Sequence, residues 1–272
     1  MIESIFEKMI PKDCFTAEWF YSFCNELWET ASKYDFNMLK ESVDPQIVKT
    51  EYAKGTVGVF RGYYSPSPLY DTVIGRVKRG QLQKNYTEAS TVFVYSFNSA
   101  GHLIKTEEVY HGNYYREEYI INESQLSVGF SFNTHRLKPR ILSNVAIELY
   151  QNNRLVQLLI VRRDPPWMWN VICEQYSYEK DKIKEMRQYT YGSRINTPGM
   201  DGTWVFTIIP DLTDVAAPPG FINGIKYSNF QMDDGRVLSC SIKRLYHDGI
   251  PGTCEFKRTR RISFAPARVH WK

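Results

Sequence analysis

The stretch "TEEVYHGNYYREEY", residues 106–119, holds two Glu-Glu pairs: Glu107 and Glu108, then Glu117 and Glu118. Gly112 and Asn113 between them suit a two-residue hairpin loop, because both tolerate positive φ. That loop sets Glu107 opposite Glu118 and Glu108 opposite Glu117, with one pair on each face of the hairpin. Paired carboxylates can hold a cation or do acid–base work, so a hydrolase using these four is one expectation. The plainer one is a solvated hairpin tip, with Lys105 and Arg116 diluting a charge that facing glutamates would otherwise make costly.

Two other stretches carry recognition chemistry. "RRDPPWMW", residues 162–169, packs Arg162, Arg163, Trp167 and Trp169 around two prolines. Arginine and tryptophan are what interface anchors are made of, although the two tryptophans could equally cap the end of a core. "FKRTRR", residues 256–261, contributes Lys257, Arg258, Arg260 and Arg261. It could meet an acidic protein or phosphates. It also reads as a solvated basic strand between Phe256 and Ile262.

Other chemistries leave no trace. There is no G-x-S-x-G, P-loop or dinucleotide fingerprint. The histidines at 102, 111, 135, 247 and 270 form no H-x₃-H or H-E-x-x-H, so no metal site is signalled, and no cofactor is implied. The cysteines at 14, 24, 173, 240 and 254 are odd in number, widely spaced and without C-x-x-C, which fits reduced thiols. "MIESIFEKMI" lacks the basic and apolar regions of a secretory signal. No run approaches the ~18 apolar residues of a membrane helix. The expectation is a soluble, cytoplasmic chain with no membrane contact.

Positioning elements follow from periodicity. Residues 16–43 read as helix: Thr16 can cap it, Glu18 suits the first turn, and Phe20, Phe23, Leu27 and Ala31, with Cys24 and Trp28, form an apolar stripe. Residues 2–10 suit a shorter helix, and Asp44-Pro45 closes the region. Beyond residue 50 the pattern becomes that of strands, in keeping with an aromatic content of 15 % and 19 Tyr. Polar turn-formers between apolar flanks recur at 97–103, 121–126, 149–155, 178–183 and 232–237. The new strands open at Leu103, Leu126, Leu155, Ile183 and Val237, steps of 23, 29, 28 and 54 residues. A looser copy is suggested at 64–69 and an irregular one at 209–211. Broader returns lie at 134–140, 163–167 and 214–220, with a tight one at 111–113. Strands 91–97 and 155–163 are apolar on both faces, so the middle of the sheet should be covered on both sides.

The expected fold is mainly β (α+β): a large curved or barrel-like antiparallel β-meander of about 12 strands with an N-terminal helical cap. Residues 1–48 form the helical segment packed on the sheet and 49–272 the meander, together one structural domain.

"FNSAGHLIK" (97–105) and "MDDGRVLS" (232–239) resemble the tandem hairpins of the Rhs/YD-repeat class and related short-period repeats of bacterial antitoxin and immunity proteins. The Tyr-Asp dipeptide of that class is absent from the matching turns and occurs only at Tyr34-Asp35 and Tyr70-Asp71. The resemblance implies a non-enzymatic protein that neutralises a toxin by protein–protein contact.

Charge is uneven within a net of +4: residues 1–51 carry five lysines against ten acids, and residues 236–272 nine basic residues against two acids. Such ends are solvated, attract each other or face different partners. With no catalytic constellation, a repeat-built sheet and an Arg/Trp loop, the expected partner is another protein, met through the 162–169 loop or the basic 256–261 stretch. Nucleic acid is disfavoured by the acidic N-terminal segment. The alternative is a carrier enclosing a small hydrophobic ligand in a curved sheet.

Overall fold

Thr16 starts the first helix. Its backbone is extended and its hydroxyl accepts the Trp19 N–H at 3.1 Å, satisfying one of the donors a helix start leaves orphaned. The computed structural model describes residues 15–55, 59–67, 79–110, 113–133, 140–164, 168–180, 182–192, 196–198, 204–206, 221–233, 236–247, 250–251 and 255–262. In it α1 spans Ala17–Ala31 and α2 spans Phe36–Val43. The single helix expected over 16–43 is thus two. Ser32 turns its hydroxyl back to the Trp28 carbonyl at 2.7 Å, and Asp35 accepts the Met38 N–H at 2.9 Å to cap α2. Short polar side chains that bond the backbone overrode the continuous apolar period. A 3-10 turn at Asp44–Gln46 with its proline ends the region. The helix expected over 2–10 lies outside the described residues. No described helix is long and apolar enough to cross a membrane.

The strands are β1 (Lys49–Lys54), β2 (Gln81–Gln83), β3 (Thr91–Phe97), β4 (Leu103–Tyr110), β5 (Asn113–Glu123), β6 (Leu126–Asn133), β7 (Ile141–Gln151), β8 (Arg154–Asp164), β9 (Met168–Glu179), β10 (Lys182–Gly192), β11 (Asn196–Pro198), β12 (Trp204–Phe206), β13 (Phe221–Asp233), β14 (Arg236–His247), β15 (Ile250–Pro251) and β16 (Glu255–Ile262). Fourteen of them make one antiparallel sheet in the order β15-β14-β13-β10-β9-β8-β7-β6-β5-β4-β3-β1-β2, with β16 also beside β14. Among the described residues β11 and β12 pair only with each other. The meander is as expected. Closure, which the sequence leaves open, is decided by the ends: among the described residues nothing joins β2 to the β14–β16 end, so the sheet is open.

Turn chemistry predicted the hairpins well. Leu103 and Leu126 open β4 and β6, and Leu155, Ile183 and Val237 are the second residues of β8, β10 and β14. Asn152 and Asn153 both take positive φ, 51° and 59°, between the paired Gln151 and Arg154, as a primed two-residue turn requires. At 98–102 the Asn98 carboxamide accepts the Ala100 and His102 N–H groups, and Gly101 sits at φ 81°. The looser copy at 64–69 is described only in part: Tyr64 ends a 3-10 turn, Gly62–Tyr64, Ser65 to Ser67 are irregular, and 68–69 lie outside the described residues. The copy at 209–211 lies outside the described residues.

α1 and α2 cover one face. Across that face Tyr119, Phe130, Val145, Val161, Val171, Tyr191 and Ile222 oppose one another strand by strand. Phe20 stacks on Tyr191 at 5.3 Å, Trp28 meets Trp169 edge-on at 5.4 Å, and Phe36 meets Tyr119 and Phe132 at 5.5 Å. Each such side chain contributes about 1.5–3 kcal/mol by leaving water. The apolar stripe of α1 fills the face that a ligand carrier would have to leave open.

Candidate functional site

The face turned away from the helices is built from polar rows. Thr106, Glu118, Ser131, Asn144, Arg162 and Asn170 oppose one another on β4 to β9. Two residues along each strand, on the same face, lies a small and apolar row: Ile120, Gly129, Ala146, Ile160, Ile172 and Thr190. Two further on come Ser127, Glu148, Leu158, Glu174 and Gln188. Glu118, Glu148 and Glu174 are each no more than 4 % exposed.

Segment 59–67 supplies the cation. Arg61 Nε donates to Glu118 Oε2 at 2.7 Å and Nη2 to Glu118 Oε1 at 2.9 Å, a two-pronged fork, while Nη1 donates to Glu148. Such pairing is specific in geometry as well as favourable in charge. Burial alone would lower the Arg61 pKa; the carboxylates of Glu118 and Glu148 outweigh it and hold the guanidinium charged. Thr106 donates to Glu118 at 3.0 Å and Tyr150 to Glu148 at 2.5 Å, so both oxygens of each carboxylate accept at least one hydrogen bond. The ion pair lies flat on β6 where Gly129 has no side chain: a Cβ there would stand 2.6 Å from Arg61 Nη2 and closer still to the Glu118 carboxylate.

The backbone bends to make this contact. Arg61 has φ 54° and Gly62 φ 50°, and positive φ at a non-glycine residue is strained. Tyr95 holds the bend, its hydroxyl donating to Arg61 O at 3.0 Å and accepting the Tyr63 N–H at 2.9 Å. Arg79 donates to the Ser65 and Ser67 carbonyls at 2.5 and 2.6 Å. Glu174, fully buried, accepts from the Tyr176 hydroxyl and from Gln188 at 3.1 Å. Burial raises its pKa, against the pull of those hydrogen bonds.

The four hairpin glutamates pair otherwise than expected. Tyr110 pairs with Asn113, and a bulge beside Val109 shifts the register, so Glu107 opposes Glu117, Glu108 opposes Arg116 and Glu118 opposes Thr106. The expected Glu107–Glu118 and Glu108–Glu117 pairs do not form, because pairing of Tyr110 with Asn113 moves the register by two residues and the bulge returns only one of them. Each carboxylate takes a cation instead: Glu107 meets Lys105 and Glu108 meets Arg116, both at 3.3 Å, Glu117 meets Arg140 at 2.6 Å, and Glu118 meets Arg61. Burial raises the pKa of Glu107 and Glu108. This is a neutralised arrangement, not a convergent acid–base pair. Among the described residues, no group of three or more His, Cys, Asp or Glu is placed to hold a metal.

Trp169 is buried at 4 % exposure in the helix-side core, with Arg163 lying 5.2 Å over its ring and 5.6 Å over Trp28. It therefore caps the core and offers no anchor surface. Arg162 is exposed, between Asn144 and Asn170 in the polar row, and Trp167 lies outside the described residues. Lys257, Arg258, Arg260 and Arg261 all fall on β16, with Lys257 opposite Ser241 and Arg258 opposite Cys240 on β14. The sequence places Glu148 with Ala146 and Tyr150 on one face of its strand, but singles out none of Arg61, Gly129, Glu148 and Glu174 as site residues. The available signal was a lone glutamate inside each of two apolar strands, "NVAIELY" and "NVICEQY". Compared with known proteins, the chain matches no family model, no curated protein and no solved structure.

Proposed function

We propose that this chain is a non-enzymatic binding protein that meets an acidic protein partner along the β16 edge of its open sheet. The carrying observation is that the basic run Lys257, Arg258, Arg260 and Arg261 falls on β16, which among the described residues pairs only with β14. A terminal strand offers backbone N–H and C=O groups to an added strand. Four cations on it repel a second copy of the same edge and attract an acidic one, which gives specificity more than raw affinity. The hairpin carboxylates are spent on internal cations, which favours binding over hydrolysis. The resemblance to tandem hairpin repeats adds a setting, a bacterial immunity or antitoxin protein in the cytoplasm that covers a toxin.

The test is affinity capture from host lysate with the native chain and with Lys257, Arg258, Arg260 and Arg261 all changed to Glu, followed by native mass spectrometry. A protein retained by the native chain and lost from the variant supports this reading. Equal retention removes the β16 edge from it, and Arg162→Glu with Arg163→Glu then tests the 162–169 loop in the same way.

A further inference from the structure

We propose that Glu118, Glu148, Ser131 and Asn144, with Gly129 as the floor, form a site for a guanidinium group, and that Arg61 is its tethered occupant, standing where an arginine of a protein partner binds when segment 59–67 leaves. This reading is independent of the β16 edge.

Three observations carry it. The first is fit: the Glu118 carboxylate takes the Arg61 fork at 2.7 and 2.9 Å, Glu148 takes the third donor, and the missing Cβ of Gly129 makes room for a flat group against the strand. A lysine ammonium cannot use that plane. The second is spare capacity. Ser131 stands opposite Glu118 and Asn144 opposite Ser131 in the same row, 1 % and 4 % exposed, and among the described residues Ser131 Oγ and Asn144 Oδ1 have no hydrogen-bond partner. Buried acceptors of this kind are seldom left unmet, and the three N–H groups Arg61 commits leave two of a guanidinium's five donors. The third is the mode of delivery. The occupant arrives from outside the sheet on consecutive left-handed residues, φ 54° and 50°, a conformation kept only where the surroundings over-determine it. The site is made of strands; its occupant is a residue of the segment between them. A partner's arginine competes with Arg61 and, in winning, frees the segment.

The test is chemical rescue of Arg61→Ala. Thermal melts of the native chain and the variant are compared in guanidinium, ammonium and sodium chlorides and in N-acetyl-arginine amide, each at about 10 mM, far below denaturing concentration. At a tenfold excess over its dissociation constant a ligand raises the melting temperature of a chain this size by about 4 °C. The expected result is such a rise for the variant in guanidinium and in N-acetyl-arginine amide, none in ammonium or sodium, and none for the native chain, whose site is filled. A rise no larger in guanidinium than in ammonium overturns the site. A rise in guanidinium without one in N-acetyl-arginine amide overturns the partner's arginine as its ligand. If Arg61→Ala does not fold, recovery on dilution from urea is read instead: recovery in guanidinium alone supports the site, and recovery in both salts or in neither overturns it.

Discussion

Across β5 to β9 the helix side carries Tyr119, Phe130, Val145, Val161 and Val171 in one row. One residue away on each strand, the opposite side carries Glu118, Ser131, Asn144, Arg162 and Asn170. The same backbone ladder supports both rows. On the helix side attraction is non-directional and scales with buried area. On the other side it depends on matched donors and acceptors, and an unmatched group is costly. The pairing of two such faces fixes the register, since a slip of one residue would push Glu118, Glu148 and Glu174 under the helices.

The sharpest way to break that contrast is to move one charge by one residue. Glu148 is held by Arg61 and Tyr150, whereas Ile147 faces the helices at 0 % exposure. Ile147→Glu buries a carboxylate with no cation and should cost about 5 kcal/mol or more, seen as loss of soluble folded protein by near-UV circular dichroism. A folded, cooperative variant would show that the two faces are not distinct. Next in size is Arg61→Ala, which strands two buried carboxylates and should lower urea stability by about 3–5 kcal/mol. The triple change Arg61→Met, Glu118→Leu and Glu148→Leu should recover most of that loss. If the triple variant is no more stable than the single one, packing rather than charge sets this face.

Smaller effects sharpen the comparison. Gly129→Ala forces a methyl against the Arg61–Glu118 pair and should cost about 1–3 kcal/mol, measurable as a lower urea midpoint at constant m. Glu174 gives a pH signature. Its folded pKa is raised by burial, so between the unfolded value of about 4.3 and the folded one the native state holds more protons. Its contribution is complete below the unfolded pKa and declines as pH rises through the folded one. Glu107 and Glu108 shift in the same direction. Glu174→Gln should therefore flatten the fall of stability with rising pH; identical slopes for variant and native chain would contradict the raised pKa. Smallest is Lys40→Ala, which removes a half-exposed i,i+4 pair with Asp44 at 3.2 Å and should change stability by less than about 0.5 kcal/mol.

Local chemistry was legible in the sequence and long-range chemistry was not. The α1 stripe, the Thr16 cap and five hairpin turns follow from residues within a few positions of one another. The four glutamates show where that stops: their proximity is plain, but a bulge beside Val109 decides who faces whom, and nothing in "TEEVYHGNYYREEY" announces it. Arg61 is harder still. It lies 57 residues from Glu118 and 87 from Glu148, in a loop whose composition suggests only a turn. A lone glutamate in an apolar strand says that some cation or hydrogen-bond donor must come, without saying from where. Trp169 is the converse case, since tryptophan beside arginine reads as an interface until α1 supplies Trp28 to cover it.

From β4 to β9 each strand has only its sequence neighbours beside it among the described residues, so that part of the sheet is close to a one-dimensional chain of hairpins. Folding can then proceed by adding one hairpin at a time, each closing a short loop, which keeps the entropic barrier of a large β-sheet low. Opening runs in reverse. Amide exchange should be fastest in the terminal strands and slowest under α1, and the β1 ladder should stand apart from that gradient, because β3 must reach back past β2 to complete it.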